Sequence, residues 1–309
     1  MPLTPFWHRH PTRWTAVDAG VPGELLRVTV DGKATTPRVL QAQQCLSDRW
    51  SALPELLKDG AGRDGATVAV LPRGDYQIVQ LPKPPVPAAE LERSVRWAVA
   101  SLVDMPPEAA VIQTLAVPTA PDAQESLLYA VACPQTATRA LDAQFKACRW
   151  RLDAIDIRET AQRNLTALAA RDETCVCSLR VTPLGVQLVF CLGDDMLLDR
   201  FVAQPLTALQ ADDAFDRQRA LERIAQQFAM SVNLMKERYP AVAVSRVLLC
   251  PSPVAAATLQ PLEALLNVPL TPLDMAALLD LSAVPALQAT AEQARFFVAL
   301  GAALRGRGS

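Results

Sequence analysis

Short apolar–polar alternations fill the first forty residues, with the two-residue period of half-buried strands. Residues 14–17, 24–30 and 35–40 form three such runs. Between them lie the turn Asp18-Ala19-Gly20-Val21-Pro22-Gly23 and the hairpin signal Asp31-Gly32, so an antiparallel meander is predicted. The period then lengthens. Cys45, Leu46, Trp50, Leu53 and Leu57 fall on one helical face and predict a helix over 42–57. Residues 66–71 and 76–81 return to strand patterning on either side of Pro72-Arg73-Gly74.

Pro82, Pro84, Pro85 and Pro87 then interrupt the pattern and mark a boundary. Beyond them Leu91, Val95, Val99, Leu102 and Val103 keep helical spacing until Pro106-Pro107 stops the run. Strands are predicted over 110–117 and 126–132, a helix over 136–149, a strand over 152–157 and a helix over 160–170. The block 82–157 therefore reads as an α+β insert.

The second half opens on another meander, with strands over 175–181, 186–192 and 196–202. Its turns are Thr182-Pro183-Leu184-Gly185 and Gly193-Asp194-Asp195. The layout copies the first meander 161 positions later, from Trp14 to Cys175. Asp212 is placed to cap a long helix on which Leu221, Ile224, Ala225, Phe228, Val232 and Met235 keep a helical period. A strand over 245–250, a helix over 259–266, a strand over 268–273 and a final helix over 289–304 complete the pattern. Two halves with the same opening describe an internal duplication; chance recurrence of a short meander is the competing reading.

Composition narrows the class. With 309 residues, half of them apolar, the chain fits two domains or one bilobed body and needs no metal or disulfide staple. Thirty basic residues against 32 acidic ones give no electrostatic drive toward nucleic acid or anionic membrane. The longest uncharged stretch, 247–262, is broken by Pro251, Pro253 and Pro261 and is too short to span a bilayer. Residues 1–20, with Trp7, His8, Arg9, His10 and Arg13, hold no signal-peptide run. Seven cysteines are an odd number, which argues against a secreted disulfide framework. A cytosolic protein is expected.

Candidate chemistry is sparse. Cys175 and Cys177 form a lone C-x-C in an apolar run, a poor zinc signal. His8 and His10 are the only histidines, so a His-dependent triad or His-rich metal site has almost nothing to draw on.

Three groups of residues carry a family resemblance. They are Leu71-Pro72-Arg73-Gly74-Asp75-Tyr76-Gln77, the block Glu90 to Val99 with the trailing Leu102-Val103-Asp104-Met105-Pro106, and the ending Ala299-Leu300-Gly301-Ala302-Ala303-Leu304-Arg305. The helix 219–239 with the following Val244-Ser245-Arg246-Val247-Leu248-Leu249 is similar too. In their order and spacing these resemble the MshI proteins, in the PilM group of type IV pilus assembly proteins, over nearly the whole chain. The resemblance implies an α/β, bilobed actin-like fold: two ribonuclease-H-like halves with a small extra subdomain inserted in the first. On that scheme the first lobe is 1–170 with the insert 82–157, the second is 171–288, and 289–309 packs back as a C-terminal helix. The implied setting is the cytoplasmic side of an inner-membrane assembly platform. There such proteins dock the cytosolic tail of a PilN-like or MshJ-like bitopic membrane protein, and self-association is a further possibility of the group.

The group also implies a site for ATP with Mg²⁺ between the lobes, which needs free amides, small residues and an Asp near the phosphates. Asp18, Gly20 and Gly185 are the remnants of such loops. Val21 and Pro22 follow Gly20, Pro183 precedes Gly185, and Pro251 and Pro253 stand where glycines would be expected; proline has no N–H to offer. Asp18 and Gly20 serving only as a turn is the plainer alternative. The expectation is a non-catalytic scaffold with no bound cofactor, with an ATP-regulated member and a sugar-kinase-like phosphotransferase as competitors. For the partner, the resemblance implies a groove between the first lobe's core and its insert, around Arg73, Tyr76, Arg93, Arg96 and Trp97. Arg93 and Arg96 as the solvated face of an amphipathic helix is the alternative there.

Overall fold

The computed structural model describes residues 11–119, 126–170 and 175–305. His8, His10 and Arg307 lie outside the described residues. The chain begins with the meander β1 (Arg13–Asp18), β2 (Glu24–Asp31) and β3 (Arg38–Leu46), then a short α1 (Leu53–Leu57) and β4 (Ala66–Val70), which lies parallel to β1. An excursion follows: β5 (Gln77–Pro82), α2 (Ala88–Ala98), β6 (Ala110–Ala116) and β7 (Leu127–Pro134). The chain returns through α3 (Gln135–Ala147) to β8 (Ala154–Asp156), parallel to β4, and ends the half on α4 (Arg158–Ala169).

The second half runs β9 (Cys175–Thr182), β10 (Gly185–Leu192), β11 (Asp195–Val202), α5 (Leu206–Leu209), α6 (Ala214–Arg238) and β12 (Val244–Leu249). It closes with α7 (Ala256–Leu259), α8 (Leu262–Leu266), β13 (Leu270–Pro272), α9 (Met275–Leu278) and α10 (Thr290–Ala302).

The two large sheets have the orders β3-β2-β1-β4-β8 and β11-β10-β9-β12-β13. With the excursion strands β5–β7 left out, the third, second, first, fourth and fifth strands of each half stand side by side, so the duplication read from the meanders is a duplication of topology. The excursion forms its own antiparallel sheet, β5-β7-β6. That sheet starts at Gln77, before the prolines, while β8, inside the span 82–157, pairs with β4 in the first large sheet.

Several local readings are corrected. No helix spans 42–57: β3 runs on to Leu46, held by a ladder in which Leu46 faces Glu24, and only Leu53–Leu57 is helical. The left-handed backbone of Arg49 (φ 55°) separates the two elements. The long helix is capped by Asp213 rather than Asp212, its Oδ1 accepting the N–H groups of Phe215 (2.6 Å) and Asp216 (3.1 Å). The helix read over 259–266 is two short ones divided at Pro261.

The halves complete each other. After the last strand of its large sheet each half sends a helix across: α4 packs on β9, β10 and β11, and α10 packs on β1, β2 and β4. One core cluster accordingly contains Ala16, Val28 and Val68 of the first sheet, Val176 and Leu248 of the second, and Phe297 and Leu300 of α10. Where α4 and α10 cross, a Cβ on Gly301 would overlap the carbonyl oxygen of Ala161, and Asn164 Nδ2 donates to the Gly301 carbonyl (2.9 Å). The small sheet bridges the same two bodies. One of its faces is covered by Val95 and Val99 on and just beyond α2; on the other, Tyr129 and Val117 enter the core of the second half.

Alanine in place of glycine inside an unconstrained helix stabilises by up to about 1 kcal/mol. Here the sign should reverse. Gly301→Ala is expected to lower stability by about 1–3 kcal/mol through overpacking, read as a reduced urea midpoint. A raised midpoint would contradict the close crossing.

Candidate functional site

The junction of the lobes is polar and buried. On α4, Glu159, Gln162 and Thr166 share one face by their spacing and are all inaccessible to solvent. Opposite them stand Ser178 and Arg180 of β9 and Gln187 of β10, buried as well. Gln162 Nε2 donates to Ser178 Oγ (3.0 Å) and to its carbonyl (3.1 Å), and Thr166 Oγ1 lies 2.7 Å from Ser178 Oγ. Arg180 Nε donates to Gln162 Oε1 (3.1 Å). Burial, with the charge of Arg158 beside it, pulls the Arg180 guanidinium down to about 10, so it stays protonated at neutral pH.

Asp18 and Gly20 sit where β1 ends. Arg158, first residue of α4, places its Nη1 3.1 Å from Asp18 Oδ1, and the same oxygen accepts the Gly20 N–H (2.8 Å). A Cβ on Gly20 would collide with the Arg158 guanidinium. With Arg158 in this position, the space beside the Gly20 Cα is taken by a side chain of the chain itself. Gly185 is explained the same way. Its N–H goes to Thr182 Oγ1 (3.1 Å), and a Cβ there would strike the Val202 carbonyl and the Phe201 ring on β11.

Arg73 and Tyr76 converge on Glu159. Arg73 Nη1 donates to Glu159 Oε1 (2.9 Å) and Gln187 Oε1 (3.1 Å), and its guanidinium carbon lies 3.8 Å from the centre of the Phe201 ring. Tyr76 is buried, and its hydroxyl donates to Glu159 Oε2 (2.5 Å). Burial first and the Glu159 charge second push that phenol well above its ordinary value. On the insert, Arg96 is tied to the carbonyls of Pro107 (2.5 Å) and Ala110 (3.0 Å), while Arg93 pairs at the surface with Glu90 (3.5 Å). Trp97 is 75% exposed, with Leu102 half-exposed after it. The five residues thus divide between the lobe junction (Arg73, Tyr76) and the outer helix of the insert (Arg93, Arg96, Trp97).

The sequence reading missed Arg158, Glu159, Gln162, Arg180, Gln187 and Asp199. A signal existed: Arg180 and Gln187 interrupt runs that are otherwise apolar and strand-forming. Asp199 of β11 is a half-buried carboxyl near Gln187 Nε2 (3.4 Å), and its backbone N–H donates to Tyr129 of the insert (2.9 Å). Burial and the Glu159 charge raise it to about 7, against the pull of Arg73. Among the described residues no group of three His, Cys, Asp or Glu is arranged to hold a metal ion, and no helix is long and apolar enough to cross a membrane.

No family model and no curated protein matches the chain. Among solved structures it is similar to a PilM-PilN type IV pilus biogenesis complex, at 18% identity and TM-score 0.66, over 94% of this chain and 98% of that one. It is also similar to a Bacteroides thetaiotaomicron protein described as having an actin-like ATPase fold and unknown function. That match is 7% identical, with TM-score 0.51, over 90% and 96% of the two chains. The cytoplasmic domain of EpsL, an inner membrane component of the Vibrio cholerae type II secretion system, matches at 11% identity and TM-score 0.49, over 79% and 83%. The first two likenesses show the fold, which is actin-like and bilobed.

Asp199 supplies a pH test. Folded, it keeps its proton to about pH 7; unfolded, it loses it near pH 4. Between those values the folded state binds more protons, so stability falls as pH rises through the window. Asp199→Asn removes that loss. The variant should gain on the parent by about 1–3 kcal/mol as pH goes from 5 to 8, measured by urea denaturation; a constant difference would contradict the assignment.

Proposed function

We propose that this chain is a non-catalytic, actin-like adaptor of a type IV pilus platform, of the MshI type within the PilM group. In this reading it lies on the cytoplasmic side of the inner membrane, held there by the cytosolic tail of a PilN-like or MshJ-like bitopic protein. The end-to-end likeness to the PilM-PilN complex, which extends over the insert, supports the platform and the partner.

The observation that carries the non-catalytic part is the Arg158 guanidinium on Asp18, above Gly20. A magnesium-bound triphosphate needs the carboxylate for its cation and the glycine amides for its oxygens. Here one Asp18 oxygen takes Arg158 and the Gly20 N–H, and the Gly185 N–H serves Thr182. The occupied oxygen and amides support the reading without that ligand, while the second Asp18 oxygen, Oδ2, is buried with no hydrogen-bond partner. Each charge-assisted hydrogen bond forgone is worth about 1.5–3 kcal/mol, so losing several weakens binding by orders of magnitude.

Calorimetry with Mg·ATP is expected to show no saturable binding up to about 1 mM, a limit of roughly 4 kcal/mol of binding energy. Micromolar binding that disappears in Asp18→Ala would reject the reading. For the partner, Trp97 is the exposed aromatic anchor of the insert, the kind of residue that dominates interfaces. Trp97→Ala should weaken pull-down of the PilN-like tail peptide about tenfold, roughly 1.4 kcal/mol, and leave thermal stability unchanged. Equal capture by parent and variant would move the docking site elsewhere.

A further inference from the structure

The two large sheets end in the edge strands β3, β8, β11 and β13, and three of these are protected in ways common to stable folds. β8 and β13 are three residues long, and β13 ends on Pro272. β11 is longer but carries Asp195, Asp199 and Arg200. β3 has none of these devices. It runs for nine residues, and from Val39 to Leu46 it holds no charge and no proline. Every residue from Leu40 to Leu46 is at least partly exposed, Leu46 at 86%.

The backbone of β3 is set for pairing. Ser47 N–H donates to the Gly23 carbonyl on the β2 side (3.0 Å). By the alternation of an antiparallel ladder, Ala42, Gln44 and Leu46 then turn their N–H and C=O groups away from β2. The chain itself shows that this edge accepts a strand. Beyond α9, Asp280 forms a parallel bridge with Arg38: its carbonyl takes the Val39 N–H (2.9 Å) and its N–H goes to the Pro37 carbonyl (2.9 Å). That contact ends at Val39, and the outward groups of Ala42, Gln44 and Leu46 lie beyond it.

The strand's own residues indicate what completes the edge. Gln41, Gln43 and Gln44 carry amides that donate and accept alike, so they complement an uncharged strand of the same kind rather than a basic or an acidic one. A two-fold axis through Gln43 makes the match specific. It sets Ala42 against Gln44 of the second copy, two residues whose backbone groups both point outward, and Leu40 against Leu46. It also brings Asp48, exposed just past the strand, opposite Arg38, whose own ion pair with Asp280 (3.4 Å) is solvent-exposed. Opposite charges thus meet at both ends of a neutral centre.

We propose that β3 pairs antiparallel with β3 of a second copy of this chain, joining their first sheets into one continuous sheet. Such a contact is isologous and closes at a dimer. A strand pairing of this length falls below the roughly 1,200 Å² of a stable interface, so the association is weak and reversible. β3 lies at the opposite edge of its sheet from β8, where the span 82–157 rejoins it, so this surface is separate from the insert and does not rest on the pilus reading.

Sedimentation velocity on the full chain, from about 1 to about 500 µM, should show a monomer–dimer equilibrium with a Kd of about 10–100 µM. Gln44→Pro removes an N–H that faces solvent in the monomer, which an edge strand tolerates, and Leu46→Lys adds a charge at an exposed position. Each should weaken dimerisation at least about tenfold and leave thermal unfolding unchanged at dilutions where the parent is monomeric. Amide exchange followed by NMR locates the contact. The N–H groups of Ala42, Gln44 and Leu46 should exchange freely in dilute protein and become protected as concentration rises, while Gln43, bonded to β2, is protected throughout. A chain that stays monomeric over the whole range would overturn the proposal. So would a dimer indifferent to both variants, assembly that continues past the dimer, or outward amides that stay unprotected in the dimer. Each of these outcomes leaves capture of the PilN-like tail and its Trp97 dependence untouched, and failure of that capture leaves the β3 pairing untouched.

Discussion

The crossing of α4 and α10 is the constraint on which the remaining architecture rests. Each helix leaves the half that made it and covers the sheet of the other, so neither half can bury its apolar surface alone. The crossing brings backbone against backbone, with Gly301 over the Ala161 carbonyl. That proximity fixes how far the sheets stand apart, and hence which side chains of α4 reach β9 and β10. Move the helices apart by one methyl group and the hydrogen bonds from Gln162 and Thr166 to Ser178 lengthen together.

The two exchanged helices use opposite chemistry. α10 meets the first sheet with Phe297, Leu300 and neighbouring alanines. α4 meets the second with a hydrogen-bonded row. Apolar burial is non-directional and tolerates sliding, whereas a buried polar row holds only in one register, since each lost partner leaves a costly unsatisfied group. Arg158, Glu159 and Arg73 extend that row to the turn after β1 and the loop after β4. The insert adds a further tie through Tyr129, and through Tyr239 of the second half, whose hydroxyl donates to the Pro118 carbonyl (2.9 Å). The two halves and the insert are thus tied at several points besides the helix crossing.

Much of the fold was legible because it is written in periodicity. The two meanders and the long helix each leave a pattern in the order of residues, and the duplicated strand order follows from the meanders. The strand over 35–40 was legible, but its continuation to Leu46 was not, because Cys45 and Leu46 sit at helical spacing from Leu53 and Leu57 while the ladder with β2 claims them first. The site was less legible than the fold. Glu159, Gln162 and Thr166 form a polar stripe at helical spacing, which from sequence alone reads as the solvated side of an amphipathic helix. Only contact with the second sheet turns that stripe inward. Gly20 and Gly185 were recognisable as turn glycines, but the groups that lie against them, the Arg158 guanidinium and the Val202 carbonyl with the Phe201 ring, are far off in sequence or on a neighbouring strand.

The helix exchange also sets an order of events on the ribosome. The first sheet is synthesised within the opening half of the chain, yet the surface that covers Ala16, Val28 and Val68 belongs to α10 and emerges last. Until then the nascent protein carries an uncovered apolar face and a half-finished lobe, a state prone to association with other chains. Folding lobe by lobe during translation would leave the first sheet without its cover until α10 is made.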